Sequence, residues 1–371
     1  MKTVLVTGAN GFIGKNLVVA LKRRTDVNFI EYDLGYPASL LEEGLAKADV
    51  IYHLAGVNRP ERTEEFTEVN VDLTWQICEA LCRLKRKPLL ALSSSIQAAQ
   101  ENPYGISKRQ SEEAVFDFHG KTGTPVFVFR LPGVFGKWCR PNYNSVVATF
   151  CYNLARCLPI AISDPAKKIE LIYVDDVVRA FTGILNGRMP VSDGKYYQAE
   201  PTHRISLGEL AETIQGFRDS RASLAVPDMS NPLVHALYAT YISCLPTDSF
   251  SYALTQRADS RGELAELLKS PHIGQIFVSR SRPGVIRGNH YHDTKVEKFV
   301  VMEGDAVIRF RQILGGDVIE YPVSGHEFCV VDIPPGYTHT IENVGHADLI
   351  VLFWADEIFN PDIPDTFGMQ L

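Results

Sequence analysis

Short apolar runs alternate with longer amphipathic stretches over about the first 130 residues of the chain. The runs are rich in Val, Ile, Leu and Phe, and they predict strands at Thr3–Thr7, Phe29–Tyr32, Val50–Leu54, Leu89–Ser93 and Val126–Arg130. The stretches between them predict helices at Gly11–Arg24, Val69–Arg83 and Tyr104–Gly120. Strands that alternate with helices predict an α/β fold, in which helices cover both faces of a parallel sheet.

The pattern changes after about residue 245, where β-branched and aromatic runs recur between Gly, Asp and Pro residues. These runs are Gly274–Ser279, Glu297–Met302, Ala306–Phe310, Val318–Pro322, Phe328–Ile333 and Leu349–Trp354. Helical periodicity in this part is confined to Leu264–Leu268. Many short strands at regular spacing predict an all-β sandwich or barrel. We therefore expect two domains, residues 1–245 and residues 246–371.

Composition and charge narrow the choice of partners. Apolar residues make up 45% of the 371-residue chain, and 37 Lys and Arg against 44 Asp and Glu leave a net charge of −7. A mildly acidic chain has no general affinity for nucleic acid or anionic membranes. The sequence shows no signal peptide or membrane span, and its seven cysteines are scattered without a CxxC pair. We expect a cytoplasmic protein with reduced cysteines.

A glycine-rich segment, TGANGFIG, follows the first predicted strand and opens the first predicted helix. Glycines at these positions permit a tight turn, close backbone approach to a pyrophosphate, and close packing of helix on strand. Asp33 ends the second strand, where a carboxylate that accepts from the adenosine ribose favours NAD over NADP, and Glu31 is a competitor for this role. The predicted cofactor contacts here are Gly8, Asn10, Gly11, Phe12, Ile13, Gly14 and Asp33.

A second group of residues supplies acid–base chemistry. Tyr104 and Lys108 are four positions apart on a predicted helix and so share one face. An ammonium near a phenol lowers the phenol pKa, and Tyr104 then becomes a usable proton donor. Ser93–Ser95 ends the fourth strand, and a serine hydroxyl there can hydrogen-bond the same carbonyl oxygen.

These motifs, together with HLAG at His53–Gly56 and with Asn70, resemble the extended short-chain dehydrogenases/reductases. The resemblance implies a Rossmann fold, a nicotinamide cofactor, and Tyr104 as the proton relay, with Lys108 holding it and the nicotinamide ribose. It makes Ser95 the carbonyl-orienting residue, with Ser94 as competitor because the spacing to Tyr104 is shorter than usual. It adds as cofactor contacts Leu54, Ala55, Gly56 and, for the adenine, Asp49.

Arg130–Gly136 resembles the segment of the same family that opens the sugar-nucleotide pocket. The residues that follow, 137–144, mix cations, amides and aromatic residues, a composition that suits a diphosphate with a uracil or a sugar. The predicted substrate contacts are Lys137, Arg140, Asn142 and Asn144.

The all-β part carries a metal-binding pattern. His290, His292 and Glu297, followed by His339 after a Pro-Pro-Gly turn, resemble the two motifs of the cupins. Three imidazoles and one carboxylate suit Zn, Fe, Mn or Ni. A metal beside a 4-keto sugar acidifies the adjacent C–H and permits epimerisation at C3. Lys298, His326 and Tyr337 are candidates to exchange that proton, and a purely structural metal is the alternative.

The chain as a whole resembles the bifunctional capsule and O-antigen enzymes of the CapF/WbjC type, through SSSIQAAQENPYG, GKWCRPNYNSVVATFCY and GNHYHDTKVEKFVV. The resemblance implies a zinc cupin that epimerises C3 of a UDP-2-acetamido-2,6-dideoxy-4-hexulose. It also implies reduction at C4 with NADPH to UDP-2-acetamido-2,6-dideoxy-L-talose, on the route to UDP-N-acetyl-L-fucosamine, in a homodimer. NADPH conflicts with the acidic Asp33, so NAD(H) stays open.

Two other functions remain as alternatives. One is an NAD-retaining 4-epimerase or 4,6-dehydratase with a structural metal, but Ile96–Ala98 lacks the acidic residues that such dehydratases carry after the catalytic Ser or Thr. The other is a non-catalytic dinucleotide sensor, a class that commonly lacks the Tyr and Lys found here.

Overall fold

The structure is a computed structural model that describes all 371 residues, and it divides into two compact units. The first unit comprises Met1–Gln215 and Ala236–Pro246, and the second comprises Gly216–His235 and Thr247–Leu371. The long segment of the second unit thus begins close to the predicted division at residue 246. Sequence analysis did not anticipate that Gly216–His235 belongs to the second unit.

The first unit contains a parallel sheet with flanking helices. Its strands are β1 (Lys2–Thr7), β2 (Val27–Tyr32), β3 (Val50–His53), β4 (Leu89–Ser95), β5 (Val126–Leu131), β6 (Gly133–Phe135), β7 (Lys168–Tyr173), β8 (Val191–Ser192), β9 (Tyr197–Gln198) and β10 (Thr202–Ser206). The helices of the chain are α1 (Phe12–Lys22), α2 (Ala38–Lys47), α3 (Leu73–Arg83), α4 (Pro103–Thr122), α5 (Val146–Leu154), α6 (Val174–Leu185), α7 (Leu207–Ser223) and α8 (Pro232–Ser243).

The order of the main sheet is β2-β1-β3-β4-β5-β9-β8, and every pairing in it is parallel except that of β8 with β9. The chain leaves β1 toward β2 and returns to β3 on the other side of β1, so the strand order reverses between β1 and β3. Ligands of doubly wound sheets bind at the carboxyl ends of the strands next to such a switch point. A smaller sheet, β10-β7-β6, completes the unit.

Apolar residues cover both faces of the main sheet. Val4 and Val6 pack into one core and Leu5 into the other, and all three are fully buried. A strand buried on both faces is a nearly continuous apolar run, as the sequence of β1 is. The predicted Rossmann-type α/β fold is confirmed.

The second unit is built from strands that pair antiparallel. They are β11 (Gln256–Asp259), β12 (Gly262–Ser270), β13 (Gly274–Ser281), β14 (Ile286–Tyr291), β15 (Glu297–Glu303), β16 (Asp305–Gln312), β17 (Ile319–Ser324), β18 (Val330–Ile333), β19 (Tyr337–Asn343), β20 (Leu349–Ala355) and β21 (Phe367–Gly368). They form two sheets with the orders β11-β12-β13-β20-β15-β18 and β17-β16-β19-β14-β21.

One core joins these two sheets. Phe299 and Phe353 come from the first sheet, and Ile308 and Ile341 from the second, and all four lie in a single buried cluster. The predicted all-β domain is confirmed, but the helical periodicity at Leu264–Leu268 was misleading. That segment lies within β12, where a β-bulge interrupts the alternation of side chains and so imitates helical spacing.

None of the helices in the structure is both long enough and apolar enough to cross a bilayer.

Candidate active sites

The glycine loop packs tightly between β1 and the end of β3. A Cβ atom on Gly8 would lie 2.6 Å from the backbone nitrogen of Ala55, and one on Gly14 would lie 2.0 Å from the carbonyl oxygen of Gly8. Gly8 also has a φ of +70°, which side chains with a Cβ rarely adopt. The backbone can therefore approach a pyrophosphate closely, at the point where α1 presents its free N–H groups. These residues fit a dinucleotide.

Asp33 supports this loop from the end of β2. Its carboxylate accepts a hydrogen bond of 2.6 Å from the Asn10 backbone N–H and one of 2.7 Å from its neighbour Leu34. Both carboxylate oxygens are thus engaged by the backbone. Asp33 lies where sequence analysis placed it, but it holds the loop in addition to any contact with a ribose.

Asp49 lies at the wrong end of the sheet for its predicted role. Its carboxylate accepts from the backbone N–H of Thr3, at the start of β1, at 2.9 Å. The cofactor loop follows the other end of β1, because parallel strands share their direction. The prediction that Asp49 contacts the adenine is therefore wrong, and the residue instead anchors the start of β3.

The two candidate serines point in opposite directions because side chains alternate along β4. Ser95 hydrogen-bonds the hydroxyl of Tyr104 and also accepts from the backbone N–H of Gln97. Ser94 is buried and donates to Glu112 at 2.5 Å. Ser95 is therefore the serine that shares a site with Tyr104, and the geometry removes Ser94 from that site.

Burial changes the acid–base chemistry of Tyr104 and Lys108. Burial raises the pKa of Tyr104, and the hydrogen bond from Ser95 opposes this only in part. The predicted lowering of this pKa by Lys108 is not found. Burial lowers the pKa of Lys108 to about 8, against a raising influence from Glu112. The Lys108 ammonium donates to the carbonyl oxygen of Ser93 at 2.7 Å and lies 3.5 Å from where a Cβ on Gly56 would be.

A chain of buried hydrogen bonds connects the end of β1 to α4. His53 pairs with the hydroxyls of Thr7 at 2.7 Å and Thr74 at 2.9 Å. The Thr74 hydroxyl donates its one proton to the carbonyl of Asn70, so it accepts from His53 Nε2–H. Burial lowers the pKa of His53 to about 3, which keeps the ring neutral.

Asn70 extends this chain to the catalytic helix. Its side-chain amide bonds both backbone groups of Val57 at 2.8 and 3.0 Å and donates to the hydroxyl of Ser107 at 2.9 Å. Ser107 in turn donates to the carbonyl of Tyr104 at 2.8 Å. Asn70 was part of the motif in the sequence, but its positioning role depends on folding and was not predicted.

The loop that carries the predicted substrate contacts also influences Tyr104. Burial raises the pKa of Tyr104 most, and Tyr143, a residue of this loop that was not predicted from the sequence, raises it further. The Arg140 guanidinium lies 4.9 Å from the centre of the Tyr143 ring. Lys137 forms an ion pair of 2.6 Å with Asp175. The remaining two predicted contacts are Asn142, in a left-handed conformation, and the exposed Asn144.

The four predicted metal ligands converge in the second unit. Their ligand atoms all lie within 4.8 Å of one another. His290 and His339 face each other across β14 and β19, and a β-bulge at Asn289 precedes His290. Such bulges re-aim side chains next to functional sites.

The chemistry of this cluster fits a divalent metal. Both ring nitrogens of His339 are buried without a hydrogen-bond partner, and burial lowers the pKa of this ring to about 3. Burial also lowers the pKa of His290. For Glu297, burial raises the carboxyl pKa, but the hydrogen bond with His292 and the charges of the three histidines together outweigh it, and the pKa is lowered. Burial lowers the pKa of His292 as well, but its bonds to Glu297 and to the Asp365 carbonyl raise it on balance, so this ring must lose a proton when a metal binds. Neutral rings of His290 and His339 beside an ionised carboxylate are the protonation states that metal ligation requires.

The three candidates for proton exchange occupy different places. Lys298 lies between the buried Glu297 and Phe299, so it points to the outer face of its sheet, where it pairs with Asp332 at 2.5 Å. That orientation excludes Lys298. His326 is exposed after β17, whereas Tyr337 is two positions before His339 on β19 and shares its face.

Family comparisons agree with this geometry. A profile of the NAD dependent epimerase/dehydratase family matches residues 4–197, and one of the polysaccharide biosynthesis C-terminal domain matches residues 257–367. The chain belongs to the NAD dependent epimerase/dehydratase family. Members of this family bind NAD(P), so the predicted nicotinamide cofactor class is confirmed.

Similar proteins in this family cover the whole chain. A UDP-2-acetamido-2,6-beta-L-arabino-hexul-4-ose reductase from Pseudomonas aeruginosa is 46% identical over 99% of this chain and 98% of its own. The crystal structure of the capsular polysaccharide assembling protein CapF from Staphylococcus aureus is 43% identical, with a TM-score of 0.93 over 99% of this chain and 100% of that one. The predicted resemblance to enzymes of this type is confirmed.

A more distant structure shows the fold alone. The UDP-glucuronic acid 4-epimerase from Bacillus cereus is 18% identical, with a TM-score of 0.54 over 65% of this chain and 98% of its own. The all-β unit explains why the match to this epimerase stops short of the full chain.

We predict different consequences for the two serines. Ser94→Ala removes a buried hydrogen bond to Glu112 and lowers the free energy of unfolding by about 1–2 kcal/mol, with little effect on turnover. Ser95→Ala removes the bond that the Ser95 hydroxyl accepts from the Gln97 N–H, so it also lowers the free energy of unfolding, by about 0.5–2 kcal/mol, but it lowers the rate of carbonyl reduction as well. Urea unfolding and steady-state kinetics on both variants measure this split. A slower Ser94→Ala enzyme beside an unaffected Ser95→Ala enzyme would reverse the assignment.

Proposed function

We propose that the first unit reduces the C4 ketone of a UDP-2-acetamido-2,6-dideoxy-hexulose to UDP-2-acetamido-2,6-dideoxy-L-talose, on the route to UDP-N-acetyl-L-fucosamine for capsule or O-antigen. The main support is the hydrogen bond between Tyr104 and Ser95, next to the lysine that faces Gly56. Two hydroxyls that are hydrogen-bonded to each other in this way can both donate to one carbonyl oxygen of a substrate. The relationship to a hexulose reductase at 46% identity supports the substrate class.

Each residue of this site has a defined task. A nicotinamide held at the glycine loop supplies the hydride. Ser95 donates a hydrogen bond to the C4 oxygen, and Tyr104 delivers its proton to that oxygen as negative charge develops. Because burial keeps the Tyr104 hydroxyl protonated, it is a donor at neutral pH. Lys108 stabilises the tyrosinate that remains and holds the ribose beside Gly56.

We propose NADPH as the reductant, with NADH as the alternative. The acidic Asp33 was the main sequence argument for NADH, but its oxygens already accept from Asn10 and Leu34. Lys15, Lys22 and Glu31 line a groove of about 430 Å³ beside Asn10. Because Lys22 pairs with Glu31 at 3.5 Å, the positive charge that this groove offers near the loop comes mainly from Lys15. Comparing the kcat/KM values for NADPH and NADH distinguishes the two.

The reductase proposal predicts a loss of chemistry without a loss of binding in Tyr104→Phe. The rate of NADPH oxidation with the UDP-keto sugar falls by about 10²–10⁴-fold, because the general acid is gone. The affinity for NADPH, measured by fluorescence titration, stays at the wild-type value.

Tyr152→Phe is the matched control, since it removes a hydroxyl from α5 and leaves the ring under Arg156 in place. This control retains the wild-type rate. Unchanged turnover in Tyr104→Phe, or no NADPH oxidation by the wild-type protein, would refute the reductase proposal.

We further propose that His290, His292, Glu297 and His339 hold a divalent metal, in particular Zn²⁺, and that this site epimerises C3 of the same sugar. The metal would polarise the C4 carbonyl and so acidify the neighbouring C3–H. Of this chain's residues, Tyr337 lies on the ligand face of β19, where it can take part in moving that proton. The convergence of four buried ligand atoms supports the site.

Deuterium uptake tests the epimerase. In heavy water without NADPH, the wild-type enzyme incorporates deuterium at C3 of the keto sugar, as measured by NMR, and His290→Ala abolishes it. His346→Ala, an exposed histidine of the same unit, is the control and behaves as wild type. If His290→Ala takes up deuterium as the wild type does, the metal has only a structural role and the epimerase proposal is wrong.

We also propose a homodimer, supported by an apolar surface in the second unit. Ile319, Tyr321, Phe328 and Val330 are 45–72% exposed on or beside β17 and β18, which are edge strands of the two sheets. Exposed apolar edges commonly pair with another chain.

Light scattering after size-exclusion chromatography tests this surface. We expect a dimeric wild type and a monomeric Phe328→Glu, whereas Met189→Glu, an exposed apolar position in the first unit, stays dimeric. A monomeric wild type would disprove the dimer.

A further inference from the structure

A short segment of the second unit, Pro364–Met369, lies along the strands that carry the metal ligands. Within it, β21 pairs with β14 so that Gly368 stands opposite His290. The backbone N–H of Met369 donates to the carbonyl of Asn289 at 2.9 Å, and the Thr338 hydroxyl donates to the carbonyl of Met369 at 2.6 Å. The segment thus contacts the neighbours of His290 on one strand and of His339 on another.

Asp365 makes the densest set of contacts in this segment. Its carboxylate accepts from the backbone N–H groups of Asp293, Thr294 and Lys295 at 2.8–3.0 Å, and from the Thr294 hydroxyl at 3.0 Å. The residue has a φ of +39°, a backbone conformation that is unfavourable for residues other than glycine. Strained residues persist where the surrounding contacts determine their conformation.

The turn that Asp365 holds connects two of the four ligands. Residues 293–295 lie between His292 and Glu297, so the conformation of this turn determines where the two ligand atoms stand relative to each other. The side chain of Lys295 adds to this link, because its ammonium donates to the carbonyl of Pro364 at 2.8 Å.

Asp365 also forms a direct hydrogen bond with one of the predicted ligands, His292. Its backbone carbonyl lies 2.6 Å from His292 Nδ1, which therefore carries the proton. The Nε2 atom then faces the other ligands, 3.3 Å from Glu297, and is the atom available to a metal once it has given up its proton. Backbone carbonyls that accept from the second ring nitrogen of a histidine ligand fix its tautomer, orient the ring and strengthen its binding to the metal.

We propose that Asp365 is a positioning residue of the metal site: its carboxylate sets the turn between His292 and Glu297, and its carbonyl sets the tautomer of His292. The proposal rests on the metal site proposed above. It extends the site from four ligands to a segment about 70 residues further along the chain.

Cobalt binding tests this role independently of turnover. The full-length protein is stripped of metal and titrated with Co²⁺, whose visible absorption reports both affinity and ligand geometry. Asp365→Gly removes the carboxylate, keeps the carbonyl and suits the positive φ. We expect its Co²⁺ affinity to fall about tenfold or more, with altered absorption bands. Asp365→Asn retains one acceptor oxygen and should show an intermediate loss.

Asp259→Gly is the matched control, since the Asp259 carboxylate also accepts from a backbone N–H, that of Arg261, in the turn between β11 and β12. It should bind Co²⁺ as wild type does. Wild-type affinity and spectrum in Asp365→Gly, or an equal loss in Asp259→Gly, would overturn the proposal. If Asp365→Gly does not fold, Asp365→Asn decides by the same criterion. A wild-type protein that binds no Co²⁺ would instead disprove the metal site itself.

Discussion

The first unit depends on one buried, neutral histidine. His53 accepts from Thr7 at the end of β1 and donates to Thr74 on α3, and the chain continues through Asn70 to Ser107 on α4. Each of these groups is buried, and a buried polar group without a partner costs about 1–3 kcal/mol. The glycine loop and the helix that carries Tyr104 are therefore fixed relative to each other by hydrogen bonds that would be costly to break. Catalytic groups gain from such rigid support because their geometry must be correct before the substrate arrives.

The second unit holds its predicted metal ligands in place in a different way. Among its predicted ligands, His339 is buried with no hydrogen bond to either ring nitrogen, and the Glu297 carboxylate lies within 3.7 Å of both His292 and His339. The cost of leaving these polar atoms without hydrogen bonds would be offset by binding of a cation. Hydrogen bonds from Asp365 hold the turn between two ligands. In the proposed function, the first unit supplies a proton donor and a reductant site, and the second supplies a metal site that would acidify a carbon next to a ketone.

Local patterns in the sequence predicted the fold classes, and they selected four residues that converge in the second unit, because strand alternation and motif spacing are encoded within a few residues. They failed where distant segments decide the outcome. Asp49 was placed at the cofactor because of its position before HLAG, but parallel strands put it at the opposite end of β3. The choice between Ser94 and Ser95 needed the direction of each side chain on β4. Tyr143 and Asp365 act on residues far away in the chain, so no local pattern reveals them.

We propose that both sites act on one sugar, with exchange at C3 before reduction at C4. Only the ketone makes the C3–H acidic, so epimerisation must come first. The direct measurement is NMR of the product formed from the UDP-keto sugar and NADPH in heavy water. If exchange at C3 precedes reduction, we expect every molecule of the reduced product to carry deuterium at C3. Reduced product with hydrogen retained at C3 would contradict it.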